Sequence, residues 1–515
     1  MNNTPRLFFK HAARCGLFFP LAMAAVIVAI ALPAAAWAEP VPLNNGSVVN
    51  GDVGNVTARG FDLKLPYGAA KYSWSQVDVR RLPSVNPRLF QTFCTATGYQ
   101  PPAAPAPAAP AAVAPAAVPA AAKQAAASPP VAAPAEWPCF GGPNHDGKSP
   151  DKGLLKEWPE DGPKLLWKVD GIGKGFSSAT VSGGAVYVSG ESGDKVSLFA
   201  FDMDGKQKWK VNNAGGICKN VGGARSSPTV DGANVYLLAG DGLLGCYDTK
   251  TGTRKWMHQA TTEFGGAPGG WGYAESVLIL GKLAIFKPGG QNCIVALDKN
   301  TGAKVWSSKG FSAGPEYGSC LPFAFGNAPM IATGTRAGLV CVNATNGELL
   351  WQNPFAANNT ANCPTPAYSD GYVFWANGYG KGGVCMKLAP GGKAEQAWTT
   401  QDMVCHHGGY VIEGGCIYGN HNNGWACLDL KTGEKKWFEQ AVGKGSLCWA
   451  DGMLYLFSEK AGLAALATCS PQGLEIKGRV QVAGTGTSWA HPVVIGGRLY
   501  LRYDTNLYCY DVRAK

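Results

Sequence analysis

Four stretches of the chain repeat one pattern and end on tryptophan. CYDTKTGTRKW (246–256), ALDKNTGAKVW (296–306), CVNATNGELLW (341–351) and CLDLKTGEKKW (427–437) read small-x-Asp/Asn-x-x-Thr/Asn-Gly-x-x-x-Trp, and AFDMDGKQKW (200–209) is the same unit one residue shorter. A period of about 40–50 residues built from short strands is the mark of a propeller blade, a small sheet that buries its faces only against its neighbours in a ring. The local physics agrees. Asp and Thr-Gly form the tight turn between the two outer strands, with Gly taking a positive φ that a side chain resists. The small first residue leaves room, and the Trp can pack across the blade interface over the glycine of a neighbouring unit.

The repeat tryptophans Trp167, Trp209, Trp256, Trp306, Trp351, Trp398 and Trp437, followed by a degenerate unit at GLEIKGRVQV (473–482), predict an all-β fold with an eight-bladed propeller. KLLWKV (164–169) is a lone strand with a Trp, and RLYLRYDTNLYCYDVRAK at the carboxyl end lacks one. Pairing the two closes the ring and removes its free edges. Residues 137–515 are thus expected to form one propeller.

The rest of the chain divides by composition. Residues 1–38 carry Arg6, Lys10 and Arg14, an apolar run and Ala36-Trp37-Ala38, which reads as a secretory signal with an A-x-A cleavage site; an uncleaved anchor is the other reading. Its removal takes the net charge from +10 to +7, mild for 515 residues, and no Lys/Arg cluster with interleaved aromatics suggests nucleic acid. No other segment is apolar enough to span a membrane, so the expected location is the periplasm, the cell surface or the extracellular space. Residues 39–100 alternate short apolar runs with Gly46, Gly51, Gly60 and Gly68, the pattern of a small, strongly bent antiparallel module similar to Sm-like or SH3-like barrels. Residues 101–136 are nearly all Ala and Pro and behave as an extended spacer.

The repeats resemble those of the pyrroloquinoline-quinone (PQQ) repeat propellers, which include quinoprotein alcohol dehydrogenases and the outer-membrane assembly factor BamB. WPCFGGPNHDGKSPDKGLLKEWPEDGPKLLWKV (137–169), GGWGYAES (269–276), HHGG (406–409) and GKGSLCWADGMLYLFSEK (443–460) resemble an exported bacterial subgroup of largely unassigned function. For an active quinoprotein, the resemblance implies two adjacent cysteines stacked on the quinone and a carboxylate cluster holding Ca²⁺. No two cysteines are adjacent, no dense Asp/Glu cluster occurs, and no C-x-x-C-H haem site is present. No cofactor is therefore expected, with PQQ or a metal ion as the alternative.

Fifteen cysteines follow the signal, an odd number for a disulfide framework. Cys246, Cys341, Cys427 and Cys509 share the repeat position that Ala296 holds elsewhere, so they read as small packed hydrophobes with free thiols. Chemistry is sought instead in the loops before the innermost strands, which ring one mouth of the tunnel. They offer Phe176, Arg225, Tyr273, Glu275, Cys320, Asn362, His406, His407, Lys444, Trp489 and His491. Cys405-His406-His407 has ligand types, but neighbours on an extended chain point apart, so no catalytic or metal set is assigned. The expected function is an exported, non-catalytic binding or scaffold propeller of the cell envelope, recognising a protein or small ligand at its face or tunnel mouth. The alternative is an oxidoreductase-like quinoprotein or a metal-dependent enzyme using that mouth.

Overall fold

The computed structural model describes residues 39–42, 48–65, 68–77, 79, 82, 86–99, 136–216 and 220–514. The signal segment lies outside the described residues, as does the Ala/Pro stretch except Glu136. The chain divides into two units, Met1–Ala125 and Ala126–Lys515.

In the first unit, strands Glu39–Pro42, Val48–Thr57, Gly60–Leu65 and Gly68–Ser73 pair in sequence order. A helix over Pro87–Thr97 succeeds them, which the short-strand pattern does not predict. Its signals are local: Asn86 Oδ1 accepts from the Leu89 amide at 3.0 Å, Pro87 opens the first turn, and Gly98 closes it in the left-handed region. Phe93 packs on Trp74 with ring centroids 4.9 Å apart, joining helix to sheet beside Phe61, Leu63 and Leu89.

The second unit contains eight successive antiparallel sheets among its described residues. The first runs Thr180–Ser182, Ala185–Ser192, Lys195–Asp202 and Gln207–Gly216, and the next six follow the same order from inner to outer strand. In the last, Lys164–Val169 is the outer strand beside Asn506–Asp511, with Trp167 opposite Cys509. The first strand of the ring therefore completes its final sheet, and no blade is left with an open edge at the seam.

Apolar bands between adjacent sheets hold the ring together. Tyr236, Leu244, Phe286 and Val295 join the second and third blades, and one continuous cluster runs from the seventh blade through the eighth to the first. The repeat motif adds a latch at five of the outer turns. A Cβ placed on Gly205, Gly252, Gly302, Gly347 or Gly433 would come within 2.6–3.1 Å of Trp167, Trp209, Trp256, Trp306 or Trp398 of the preceding blade. Four of these indoles then bond the same turn: Trp167 Nε1 donates to Met203 O at 2.8 Å, Trp209 to Thr249 O at 3.0 Å, Trp256 to Lys299 O at 3.1 Å and Trp398 to Leu430 O at 3.0 Å. Asp248 Oδ1 fixes its turn by accepting from the Lys250 and Thr251 amides at 3.0 and 3.1 Å. All fourteen described cysteines are free, including Cys246, Cys341, Cys427 and Cys509, each paired across the strands with a repeat Trp.

The segment preceding the first blade takes a path no repeat predicts. Trp137 exchanges backbone hydrogen bonds with Val181 of the first blade, and Pro138 O accepts from Val230 of the second. Further on, Lys148–Ser149 lies parallel to Trp449 and Ala450 of the seventh, while Lys148 Nζ reaches Ile412 O and Glu413 Oε2 of the sixth, both at 3.1 Å. Contacts with inner strands on opposite sides of the ring carry this segment across the tunnel axis.

Candidate functional site

A relay of hydrogen bonds sets the register of the loops that enter the innermost strands. The Ser178 amide donates to Ser227 Oγ at 2.9 Å, Ser227 to Ser276 Oγ at 3.0 Å, Ser276 to Ser319 Oγ at 3.0 Å and Ser319 to Thr365 Oγ1 at 3.0 Å. The His491 amide donates to Ser178 Oγ at 2.8 Å, continuing the relay across the seam. Side chains alternate faces along extended backbone, so the residues two positions earlier share the axial side. These are Phe176, Arg225, Ala274, Tyr317, Cys363 and Trp489, and all line one cavity of about 210 Å³. His406, His407, His491, Trp271 and Tyr379 complete the wall, and Phe140 of the crossing segment reaches it from within the tunnel.

This register corrects four sequence assignments, Tyr273, Glu275, Cys320 and Asn362. Tyr273 and Glu275 are one residue out of phase and turn between blades, away from the cavity. Tyr273 Oη donates to Pro288 O at 2.8 Å. Glu275 is 2% exposed and lies 3.8 Å from the Lys287 ammonium, whose amide also donates to it. Its ion-pair partner is thus Lys287, and burial, opposed by that charge, raises the Glu275 carboxyl to about 7. Cys320 is also out of phase and borders a separate cavity of about 70 Å³. Burial pushes its thiol up to about 12. Asn362 is buried and bonds Glu316 Oε2 through its side chain at 3.0 Å.

Of the remaining candidates, Phe176, Arg225, His406, His407, Trp489 and His491 line the cavity, and Lys444 does not. Arg225 lies over Phe176, 5.9 Å from the ring centroid, and donates to Val221 O at 2.6 Å and Gly223 O at 3.2 Å. Lys444 stands behind the wall, its Nζ 2.7 Å from both His406 Nδ1 and Glu459 Oε2. His491 Nε2 donates to His407 O at 3.0 Å. The His406 and His407 rings lie 3.6 Å apart, because the chain bends there instead of extending, so the expected divergence of neighbours fails for this pair. It holds for Cys405, whose thiol turns inward to Gly409 O at 3.5 Å. His407 stacks on Trp489 at 4.2 Å, and Trp489 meets Phe176 at 4.2 Å.

Among the described residues the cavity is lined by neutral groups apart from Arg225, with no carboxylate. Burial, then the Lys444 charge, brings His406 down to about 4. Burial also lowers His407 well below the usual imidazole value, with His406, Lys444 and Arg225 adding to the effect, and burial lowers His491. The imidazoles are therefore uncharged at neutral pH. His406 Nε2, His407 Nδ1 and Trp489 Nε1 are buried with no hydrogen-bond partner. Such atoms are costly to leave unsatisfied. Cys363, absent from the sequence-derived set, brings its thiol to within 4.8 Å of ligand atoms of His406 and His407. Among the described residues this is the one group of three or more His, Cys, Asp or Glu side chains close enough to share a metal. Ca²⁺ needs hard oxygen donors, and a lining without carboxylates does not fit the Ca²⁺ that accompanies PQQ.

The family described as outer membrane protein assembly factor BamB matches residues 151–309 and 220–439, together more than half of the chain. Among solved structures, BamB from Moraxella catarrhalis is 16% identical, covering 68% of this chain and 98% of its own, with a TM-score of 0.52. Quinohemoprotein alcohol dehydrogenase ADHIIG from Pseudomonas putida HK5 is 13% identical, covering 74% and 80%, with a TM-score of 0.50. At these identities both are similar in fold alone. No curated protein matches the sequence.

Proposed function

The chain belongs to the PQQ-repeat propeller family described as outer membrane protein assembly factor BamB, and from that premise we propose that it is an exported, non-catalytic binding propeller of the cell envelope. Its recognition site is the tunnel-mouth cavity, which takes a small ligand. The observation that carries this reading is the pairing of aromatic walls, Phe176, Trp271 and Trp489, with buried polar atoms on His406, His407 and Trp489 that have no partner. Aromatic faces with a few convergent polar groups characterise binding pockets. The quinoprotein alternative lacks support on two counts: no adjacent cysteine pair occurs in the sequence, and none of the described lining residues is a carboxylate that could hold Ca²⁺.

Native mass spectrometry of the full chain, produced with its own leader in a bacterial host, tests the proposal. A bound species is expected in the wild type and absent from Phe176→Ala/Trp489→Ala. Dye-linked alcohol oxidation by the wild type supplied with PQQ and Ca²⁺ would replace the binding reading with the enzymatic one. A bound species retained by the double variant would move the site elsewhere.

A further inference from the structure

We propose that Cys363, His406 and His407 form a binding site for a thiophilic transition-metal ion of the zinc(II) or copper(I) class. The inference rests on the reading of the cavity as a binding site and names what one wall of it holds. Cys363 comes from the loop entering the fifth blade and the histidines from the loop entering the sixth, so one blade-to-blade step brings them together. Their ligand atoms lie within 4.8 Å of one another. Tetrahedral bonds of about 2.0 Å to nitrogen and 2.3 Å to sulfur put ligand atoms roughly 3.5 Å apart. Closure by about 1 Å, within reach of small side-chain rotations, would complete the set.

The donor chemistry selects the ion. One thiol and two imidazoles suit zinc and copper, whereas magnesium and calcium favour carboxylate oxygens, which none of the described lining residues offers. His406 Nε2 and His407 Nδ1 have no other partner to give up. Neighbouring groups hold the ligands in place: His407 is stacked on Trp489 at 4.2 Å, and His406 meets Tyr379 edge-on at 4.8 Å. Three protein ligands leave a fourth tetrahedral position for water or for a donor atom of a small ligand in the cavity.

Binding has a defined proton balance. The Cys363 thiol loses its proton to solvent and bonds the ion as thiolate. Lys444 Nζ donates to His406 Nδ1, which places the imidazole proton on Nε2. Coordination through Nε2 requires that proton on Nδ1 instead, and Lys444 then turns wholly to Glu459 Oε2, its partner at 2.7 Å. The imidazole stays neutral, so one proton is released per ion.

Cobalt(II) is the probe, added to the reduced, chelator-treated full chain. The expected result is one cobalt per chain, a near-ultraviolet thiolate-to-cobalt charge-transfer band, tetrahedral d–d absorption in the visible, and displacement of both by one equivalent of Zn²⁺. Cys363→Ser abolishes the charge-transfer band, and His407→Gln weakens binding at least about tenfold. As a check independent of variant folding, Zn²⁺ should protect Cys363 of the wild type from alkylation, read by peptide mass mapping. No charge-transfer band in the wild type, a band that survives Cys363→Ser, or alkylation of Cys363 unaffected by Zn²⁺ would overturn the assignment. A wild type that binds no cobalt yet keeps a small organic species lost in Phe176→Ala/Trp489→Ala would sink the metal site alone and leave the binding pocket standing.

Discussion

Gly205→Ala probes the seam where the ring closes. Gly205 has φ +83°, and a Cβ there would sit 2.8 Å from Cδ2 of Trp167, the tryptophan of the strand that completes the last blade. Two costs add. A left-handed backbone costs an alanine about 1–2 kcal/mol, and forcing a methyl into a packed contact costs about 1–3 kcal/mol. The steric part cannot relax freely, because Trp167 is held to the same turn by its bond to Met203 O at 2.8 Å. The total is about 2–5 kcal/mol. Gly183, in an inner turn of the same blade, isolates the first term: its φ is +60°, and an added Cβ meets nothing within 4 Å. Gly183→Ala should therefore lose only about 1–2 kcal/mol. Urea denaturation of both variants beside the wild type, followed by tryptophan fluorescence, measures the difference. Equal losses at the two positions would refute the latch, because the indole would then bear no part of the seam.

Three further outcomes are expected. Lys287→Met strands the Glu275 carboxyl and should cost about 3–5 kcal/mol in urea denaturation, while Glu275→Leu/Lys287→Met should recover most of that loss, since two apolar side chains replace a buried pair at little net cost. His145 in the crossing segment is lowered from 6.5 to about 4 by burial. Its folded pKa lies below its unfolded value, so its contribution to stability is full above pH 6.5 and is lost as the pH falls through about 4. His145→Asn, which tolerates the φ of +57°, should flatten that acid limb in pH-dependent melting. Lys444→Met removes the donor that competes for His406 Nδ1, and it should tighten cobalt binding about 5–10-fold by equilibrium titration, the equivalent of one hydrogen bond of about 1 kcal/mol.

The blades are legible in the sequence because their signals are local and repeated. The turn Asp, the Gly that follows it and the Trp ten residues past the small position act within one unit and its neighbour, and five glycines meet the tryptophan of the preceding blade. The site is legible only in part. Arg225, His406, His407 and His491 stand out as polar residues before a strand, but the same rule picks Tyr273, Glu275 and Cys320 one residue out of phase. The phase is set by Ser178, Ser227, Ser276, Ser319 and Thr365, small hydroxyls that look bland until their bonds to the next blade are seen. Aligned on those hydroxyls, the sequence would have offered Cys363 two places before Thr365. The helix Pro87–Thr97 also has readable caps in Asn86, Pro87 and Gly98, outweighed by the glycine-punctuated runs before it. The path of residues 137–149 has no local signal, because its partners lie far along the chain, Val181 and Val230 in the first two blades and, more than two hundred residues away, Ile412, Trp449 and Ala450 in the sixth and seventh.

That crossing segment is a brace. With Trp137 bonded to the first blade, Lys148 to the sixth and Phe140 in the cavity wall, it links blades that are not neighbours in the ring. A disturbance at the cavity wall therefore reaches both of those blades through one short stretch of backbone.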